Sequence, residues 1–181
     1  MHIFETERLF ISRFKLSDAP FILELVNDPS WLRFIGDRGI KTIKDAEAYL
    51  KNGPLKSYKE FGFGLYLVSL KKGGVPIGMC GLLRRDTLDD ADIGFAFMPQ
   101  FTGKGYAFES AVPVLNHARE ILGMKRILAI TSPDNINSIK LLGKLEFTFL
   151  KMIRLTVDAD ESRLFEMRSK KTFIAEGFSR V

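Results

Sequence analysis

Between Ile93 and Ala107 the chain reads Ile93-Gly94-Phe95-Ala96-Phe97-Met98-Pro99-Gln100-Phe101-Thr102-Gly103-Lys104-Gly105-Tyr106-Ala107, a strand-like run that passes through a glycine-bearing turn into a helical pattern. The first turn of a helix leaves backbone N–H groups without intrahelical partners, and together with the helix dipole they attract anions. Glycines at 103 and 105 remove the Cβ atoms that would keep a pyrophosphate at a distance. The pattern points to a nucleotide-type ligand, with ordinary turn formation as the alternative use of the same glycines. Two familiar phosphate loops do not fit. Lys104 is followed by Gly105 rather than Ser or Thr, and Phe108 stands where a dinucleotide turn needs its third glycine.

Other residue types bound the chemistry further. Asn135 and Ser138 sit three apart at a helix start, where Asn is first of all a cap. Cys80 is the single cysteine, so an internal disulfide is excluded. A thiolate could carry an acyl group, but no His neighbours Cys80, and a lone strand cysteine is usually a small buried hydrophobe. With His2 and His117 as the two histidines, neither paired-Cys nor His-Glu-x-x-His zinc spacing exists, and no metal is expected.

These residues need elements to position them. Arg8 to Phe14 reads as a strand, and Ser17-Asp18 caps a helix beginning near Phe21. Thr42 to Asp45 has capping-box spacing ahead of a second helix, which Gly53-Pro54 is expected to break. Phe61 to Met98 reads as three consecutive antiparallel strands, divided by Gly73-Gly74 and by Asp86 to Asp90, with Gly78 and Gly81 hinting at a bulge or close packing. A long helix follows to Gly123, with a kink expected at Pro113. Strands near 126–131, 147–155 and 163–168 enclose a helix from Asn135 to about Lys144. Residues 172–181 form an extension that packs as a short helix or frays.

At 181 residues with 46% hydrophobic content, one domain spanning 1–181 with a sizeable core is expected. No run of about 18 apolar residues exists, and Met1 to Arg8 lacks the layout of a signal peptide, so the expectation is a soluble, cytoplasmic protein. Twenty-seven Lys+Arg against 22 Asp+Glu give +5 and a pI near 9.3. That balance favours an anionic ligand, yet the basic residues cluster only in pairs, which argues against nucleic acid as partner.

The segment Thr102-Gly103-Lys104-Gly105-Tyr106-Ala107 resembles the acyl-CoA motif of the GNAT superfamily of N-acetyltransferases, Gln/Arg-x-x-Gly-x-Gly/Ala, with Thr102 at the first anchor. Glu5-Thr6-Glu7-Arg8-Leu9, Pro76-Ile77-Gly78, Asp92-Ile93-Gly94-Phe95 and Asn135-Ile136-Asn137-Ser138 resemble the branch that contains ribosomal-protein N-terminal alanine/serine acetyltransferases. The likeness runs from Glu5 to Met167. The family ending Glu-Lys-x-Gly-Phe is altered here to Gly143-Lys144-Leu145-Glu146-Phe147, with Glu in the glycine position.

The resemblance implies a mixed α/β fold: a mostly antiparallel sheet of about seven strands flanked by about four helices, splayed between the fourth strand, ending at Phe97, and the fifth, 126–131. It implies acetyl-CoA as co-substrate, held by Phe95, Ala96 and Phe97, by Thr102, Gly103, Lys104, Gly105, Tyr106, Ala107 and Phe108, and by Asn135. A backbone N–H near Phe95 would polarise the thioester carbonyl, Ser138 would protonate the departing thiolate, and Asp92 would receive or orient the acceptor amine. The implied reaction is direct attack of a primary amine, of a protein N-terminus or a small molecule, in a ternary complex. Readings of a different class are a non-catalytic acyl-CoA sensor and a basic RNA-binding protein. The acceptor site is expected from the first two helices, from Asn27 to Gly39 including Trp31 and Arg33, and from the hairpin near Asp158-Ala159-Asp160. Glu109 is expected to face solvent or a partner charge rather than substrate, His117 is expected to be structural, and oligomeric state is left open.

Overall fold

The computed structural model describes residues 2–157 and 159–168. Residues 172–181 and Asp158, which the sequence reading assigned to an extension and to the hairpin, lie outside them. The strands are β1 (His2–Glu5), β2 (Leu9–Arg13), β3 (Leu65–Leu70), β4 (Pro76–Leu83), β5 (Asp92–Phe97), β6 (Ile127–Thr131), β7 (Thr148–Ile153) and β8 (Ser162–Met167). They form one sheet in the order β1-β2-β3-β4-β5-β6-β8-β7, antiparallel throughout except for the parallel pair β5/β6. The α-helices among the described residues are α1 (Ala19–Val26), α2 (Pro29–Phe34), α3 (Ile43–Leu50), α4 (Lys56–Glu60), α5 (Tyr106–Glu120) and α6 (Ile136–Lys144).

The mixed, mostly antiparallel α/β class is as expected, and two counts differ. The eighth strand is β1, which pairs with β2 across an irregular register and is too short to declare itself in the sequence. The described residues hold six α-helices because α2 is a separate six-residue segment and because the chain, although α3 ends at Leu50 ahead of Gly53-Pro54 as expected, does not leave the helical path there. Instead the chain continues through a π turn, Lys51–Leu55, into α4. The wider i→i+5 spacing of a π turn relieves the crowding that a proline, lacking an N–H, causes in an α-helix. α5 likewise continues on both sides of Pro113.

Side-chain alternation along β3 builds two cores, one on each face of the sheet. Tyr66 and Val68 face a cluster with Val112, Leu115 and Ala118 of α5, whereas Leu65 and Leu67 face Ile22 and Leu25 of α1 and Ala46 and Leu50 of α3. β3 and β4 approach closely at Gly81, where a Cβ would stand 2.1 Å from the Gly64 carbonyl oxygen. The register shifts between Val68 and Ser69 opposite Gly78 and Pro76, so the paired glycines mark both the bulge and the close approach that their spacing suggested.

α6 ends in a Schellman motif despite its missing glycine. The Phe147 N–H donates to the Leu142 carbonyl at 3.0 Å and the Glu146 N–H to the Gly143 carbonyl at 3.1 Å, and Leu142 and Phe147 share the α5-side core. Closing this motif holds Glu146 at φ 64°, a left-handed conformation that disfavours a residue with a Cβ. Glu146→Gly should therefore raise stability by about 1 kcal/mol and the Tm by about 2–4 °C, read by thermal denaturation. An unchanged or lower Tm would mean that the turn carries no such strain.

Candidate active site

β5 and β6 pair only at Asp92↔Leu128 and Ile93↔Ala129, after which they part. The direction of the free groups follows from alternation along β5. The Met98 N–H donates to Ile77 of β4, and the Ala91 carbonyl accepts from Leu128 of β6. The odd-numbered residues therefore turn their backbone groups toward β6, and those of Phe95 and Phe97 face the gap where the ladder has ended. A cleft of about 1020 Å³ opens there, lined among others by Asp92, Phe95, Phe97, Tyr106, Asn135 and Ser138.

The turn after β5 is shaped by its glycines. Gly103 and Gly105 have φ of 73° and 84°, and Gly105 occupies the N-cap of α5. A glycine cap has no side chain to satisfy the helix start, and the first intrahelical bond is Glu109 N–H to the Gly105 carbonyl. The N–H groups of Tyr106, Ala107 and Phe108 are thus available to a ligand beside the cleft. Around Gly103 a Cβ would meet open space, so its requirement is conformational rather than steric. The Thr102 hydroxyl donates to the Pro99 carbonyl at 2.8 Å and locks the preceding 3-10 turn. Lys104 lies off the cleft wall, its ammonium 5.8 Å from the centre of the Phe101 ring.

The sequence reading missed what holds this turn. Arg8, in the bend between β1 and β2, donates from Nη1 to the Lys104 carbonyl at 3.1 Å and from Nε to Glu109 Oε2 at 2.6 Å. Its guanidinium lies 4.5 Å from the centre of the Tyr106 ring. Glu109 also accepts from the Arg8 backbone N–H at 2.8 Å and the Thr6 hydroxyl at 2.6 Å. Of the two alternatives for Glu109, solvent or a partner charge, the structure has the partner charge, Arg8, within a dense set of donors. The only signal in the sequence was the Glu5-to-Leu9 string, because about a hundred residues separate the partners.

At the other end of β5, Asp92 is 1% exposed and accepts from Arg85 Nε at 2.9 and 3.1 Å. Burial pushes its carboxyl up from the ordinary value, and the adjoining guanidinium pulls it back. Asn135 is the cap its position suggested, its Oδ1 accepting from the Ser138 N–H at 3.1 Å. The structure thus brings Asp92, Phe95, Ala96, Phe97, Asn135 and Ser138 to one cleft, with Thr102, Gly103 and Gly105 to Phe108 at its rim. Trp31 lines it too, whereas Arg33 pairs with Asp134 at 3.0 Å. Cys80 is fully buried and its thiol is pushed up to about 12, so it stays protonated and inert at neutral pH. Among the described residues no group of three potential ligands could hold a metal ion, and no helix is long and apolar enough to cross a membrane.

A family model for the acetyltransferase (GNAT) domain matches residues 8–148. The chain belongs to the GNAT acetyltransferase family. The uncharacterized N-acetyltransferase YnaD of Bacillus subtilis (strain 168) is 28% identical over 145 residues, covering 80% of this chain and 81% of that protein. The uncharacterized N-acetyltransferase p20 of Bacillus licheniformis is 27% identical over 148 residues, 81% of this chain and 83% of its own length. The crystal structure of ribosomal-protein-S5-alanine acetyltransferase from Vibrio fischeri superposes with a TM-score of 0.77 at 18% identity, over 94% of this chain and 98% of that one. The splayed strands, the glycine turn and the start of α5 all lie within the matched residues.

The Arg8 tether has a measurable consequence. Arg8→Ala should speed amide hydrogen exchange across residues 103–108 and lower stability by about 1 kcal/mol, a Tm loss of about 2–4 °C. Exchange in the turn identical to that of the parent protein would show that the glycine conformations hold it without Arg8.

Proposed function

We propose that this acetyltransferase moves an acetyl group from acetyl-CoA to a primary amine by direct attack in a ternary complex. The observation that carries the reading is the open ladder after Ile93/Ala129, set beside the uncapped start of α5. An extended pantetheine chain can pair with the backbone groups of Phe95 and Phe97, while the N–H groups of Tyr106 to Phe108 meet a pyrophosphate. Lys104, off the cleft wall, adds long-range attraction. The solved structure of RimL, a ribosomal L7/L12 alpha-N-protein acetyltransferase, contains coenzyme A and shares this fold with a TM-score of 0.77 at 16% identity, over 93% of this chain and 98% of that one. A cytoplasmic location, where acetyl-CoA is available, goes with this reading.

Acetyl-CoA supplies an activated thioester; the protein binds, orients and moves protons. The amine nitrogen forms a bond to the acetyl carbon as the carbon–sulfur bond breaks, the amine gives up a proton, and the thiolate gains one. The Phe95 N–H is the donor for the carbonyl oxygen, whose negative charge grows during attack. Ser138, half-buried in the cleft, is the proposed proton donor to sulfur, and Asn135 fixes its backbone through the cap. Asp92 is the proposed acceptor-side carboxylate. Its raised proton affinity improves a weak base, and its pairing to Arg85 fixes where that base points.

Gly105→Asp adds a Cβ at a left-handed position, 3.2 Å from Arg8 Nη2, and a negative charge where pyrophosphate is expected. Calorimetry should show acetyl-CoA affinity falling by about tenfold or more in a folded variant, and unchanged affinity would remove the turn from the site. Ser138→Ala should lower turnover by about 100-fold with little change in acetyl-CoA affinity. Asp92→Asn should be slowest at low pH, where the amine is protonated, and recover in part as pH rises and free amine becomes abundant. A deficit independent of pH would make Asp92 a purely structural partner of Arg85.

A further inference from the structure

The lining of the whole cleft carries six Lys or Arg, namely Arg38, Lys56, Arg84, Arg85, Lys140 and Lys144, against the three acidic residues Glu60, Asp86 and Asp92. Lys140 and Lys144 belong to α6 on the cofactor side, and Arg84 is spent on its own turn, donating to the Leu88 and Asp89 carbonyls at 3.3 and 2.7 Å. Arg85 is different. Only its Nε is engaged, by Asp92, so four N–H donors of the guanidinium have no partner among the described residues. Its side chain keeps 32% of its surface exposed while Asp92 beneath it is sealed.

Two further donors share this wall. Tyr49 of α3 lines the cleft and its hydroxyl has no hydrogen-bond partner among the described residues. Burial raises the Tyr49 phenol, and the positive charges of Arg38 and Arg85, which line the same cleft, oppose that shift. Arg38, in the connection between α2 and α3, is exposed.

We propose that the acceptor is a primary amine that also carries a carboxylate, and that Arg85, Arg38 and Tyr49 bind this carboxylate. The inference rests on the acetyl-transfer reading and names its acceptor class. A polyamine or aminoglycoside would bring several positive charges against Arg38 and Arg85 and be disfavoured there, while Lys56 is already paired with Glu60 at 3.6 Å. A carboxylate instead meets a guanidinium whose plane is already fixed, because Asp92 accepts from Nε and leaves the Nη face free. Asp92 is to this extent a positioning residue as well. Phe95 lies three residues along β5 from Asp92, about 10 Å of extended strand. The acceptor and the Arg85 side chain together bridge that distance, the acceptor being a free amino acid or the first residues of a peptide with an acidic side chain.

The experiment compares acetyl transfer, read as release of free thiol, to free amino acids, to the same amino acids as amides, to C-terminally amidated peptides with Asp or Glu in the first two positions, and to spermidine. Amino acids should exceed their amides by about tenfold or more in kcat/KM if the source is a free metabolite, and the acidic peptides should exceed neutral ones if it is a protein N-terminus. Arg85→Ala would strand the buried Asp92, so the variants are Arg38→Gln, Tyr49→Phe and Arg85→Lys. Each should raise KM for the carboxylate-bearing acceptor severalfold; Arg38→Gln and Tyr49→Phe should leave acetyl-CoA affinity and transfer to the neutral amide unchanged, whereas Arg85→Lys, which also changes the partner that orients Asp92, is read by the KM for the acceptor alone. Equal use of acids and amides, preference for spermidine, or unaltered KM in Arg38→Gln and Arg85→Lys would overturn the inference while acetyl transfer itself stood. If no amine is acetylated, the proposed function fails, and calorimetric titration with amino acids and their amides still reads the carboxylate site: selective binding lost in Arg38→Gln supports it, and no selectivity refutes it.

Discussion

The parting of β5 from β6 after two residue pairs is the constraint around which the molecule is built. Unpaired strand backbone costs free energy unless water or a ligand satisfies it, so a sheet does not open in its middle without support on both sides. Here β5 stays zipped to β4 from Asp92 to Phe97, and β6 to β8 from Ile127 to Thr131, so each lip of the gap belongs to a fully paired ladder. α5 packs against one face beneath the gap and α1 with α3 against the other. The open ladder is stable because everything next to it is closed, and what it exposes is a strand edge in the interior of a sheet.

The gap alone could bind any extended chain. The turn at its far end narrows the choice to something anionic, and that turn depends on two glycines at positive φ and on Arg8 reaching across from the β1–β2 bend. Glu109 ties the arginine down, so the brace is internally neutral and leaves the helix-start N–H groups as the positive feature a ligand meets. β1, the strand least visible in the sequence, earns its place by helping to hold the bend that carries Thr6 and Arg8.

How far the sequence could be read follows from how local each feature is. The glycine turn, the Asn135 cap, the three antiparallel strands and the burial of Cys80 are set by neighbours in the chain, and period, cap chemistry and turn residues expose them. The Arg8–Glu109 brace joins residues about a hundred positions apart, and the Arg85–Asp92 pair joins the β4–β5 connection to the start of β5 across a turn whose path must be known first. Gly53-Pro54 interrupts the α-helix as its residues suggest, and what they do not reveal is that a π turn carries the chain on into α4. Glu146 shows the converse: the glycine signal vanished, yet the Schellman bonds and the Leu142–Phe147 contact retain the turn.

The Arg85–Asp92 pair is the least economical feature of the fold. A buried ion pair is seldom a net gain over a well-packed apolar pair of the same volume, because desolvation offsets most of the attraction. Nothing in the sheet requires charge at this point; Leu83↔Asp92 is an ordinary antiparallel pairing, and the next pair, Leu82↔Ile93, is apolar. The charge stands where β5 leaves β6, on the wall of the cleft, with one partner sealed and the other a third exposed. Sealing only the carboxylate fixes the guanidinium in orientation while leaving most of its donors unspent, which is the arrangement of a group held ready for an anion that arrives with the acceptor.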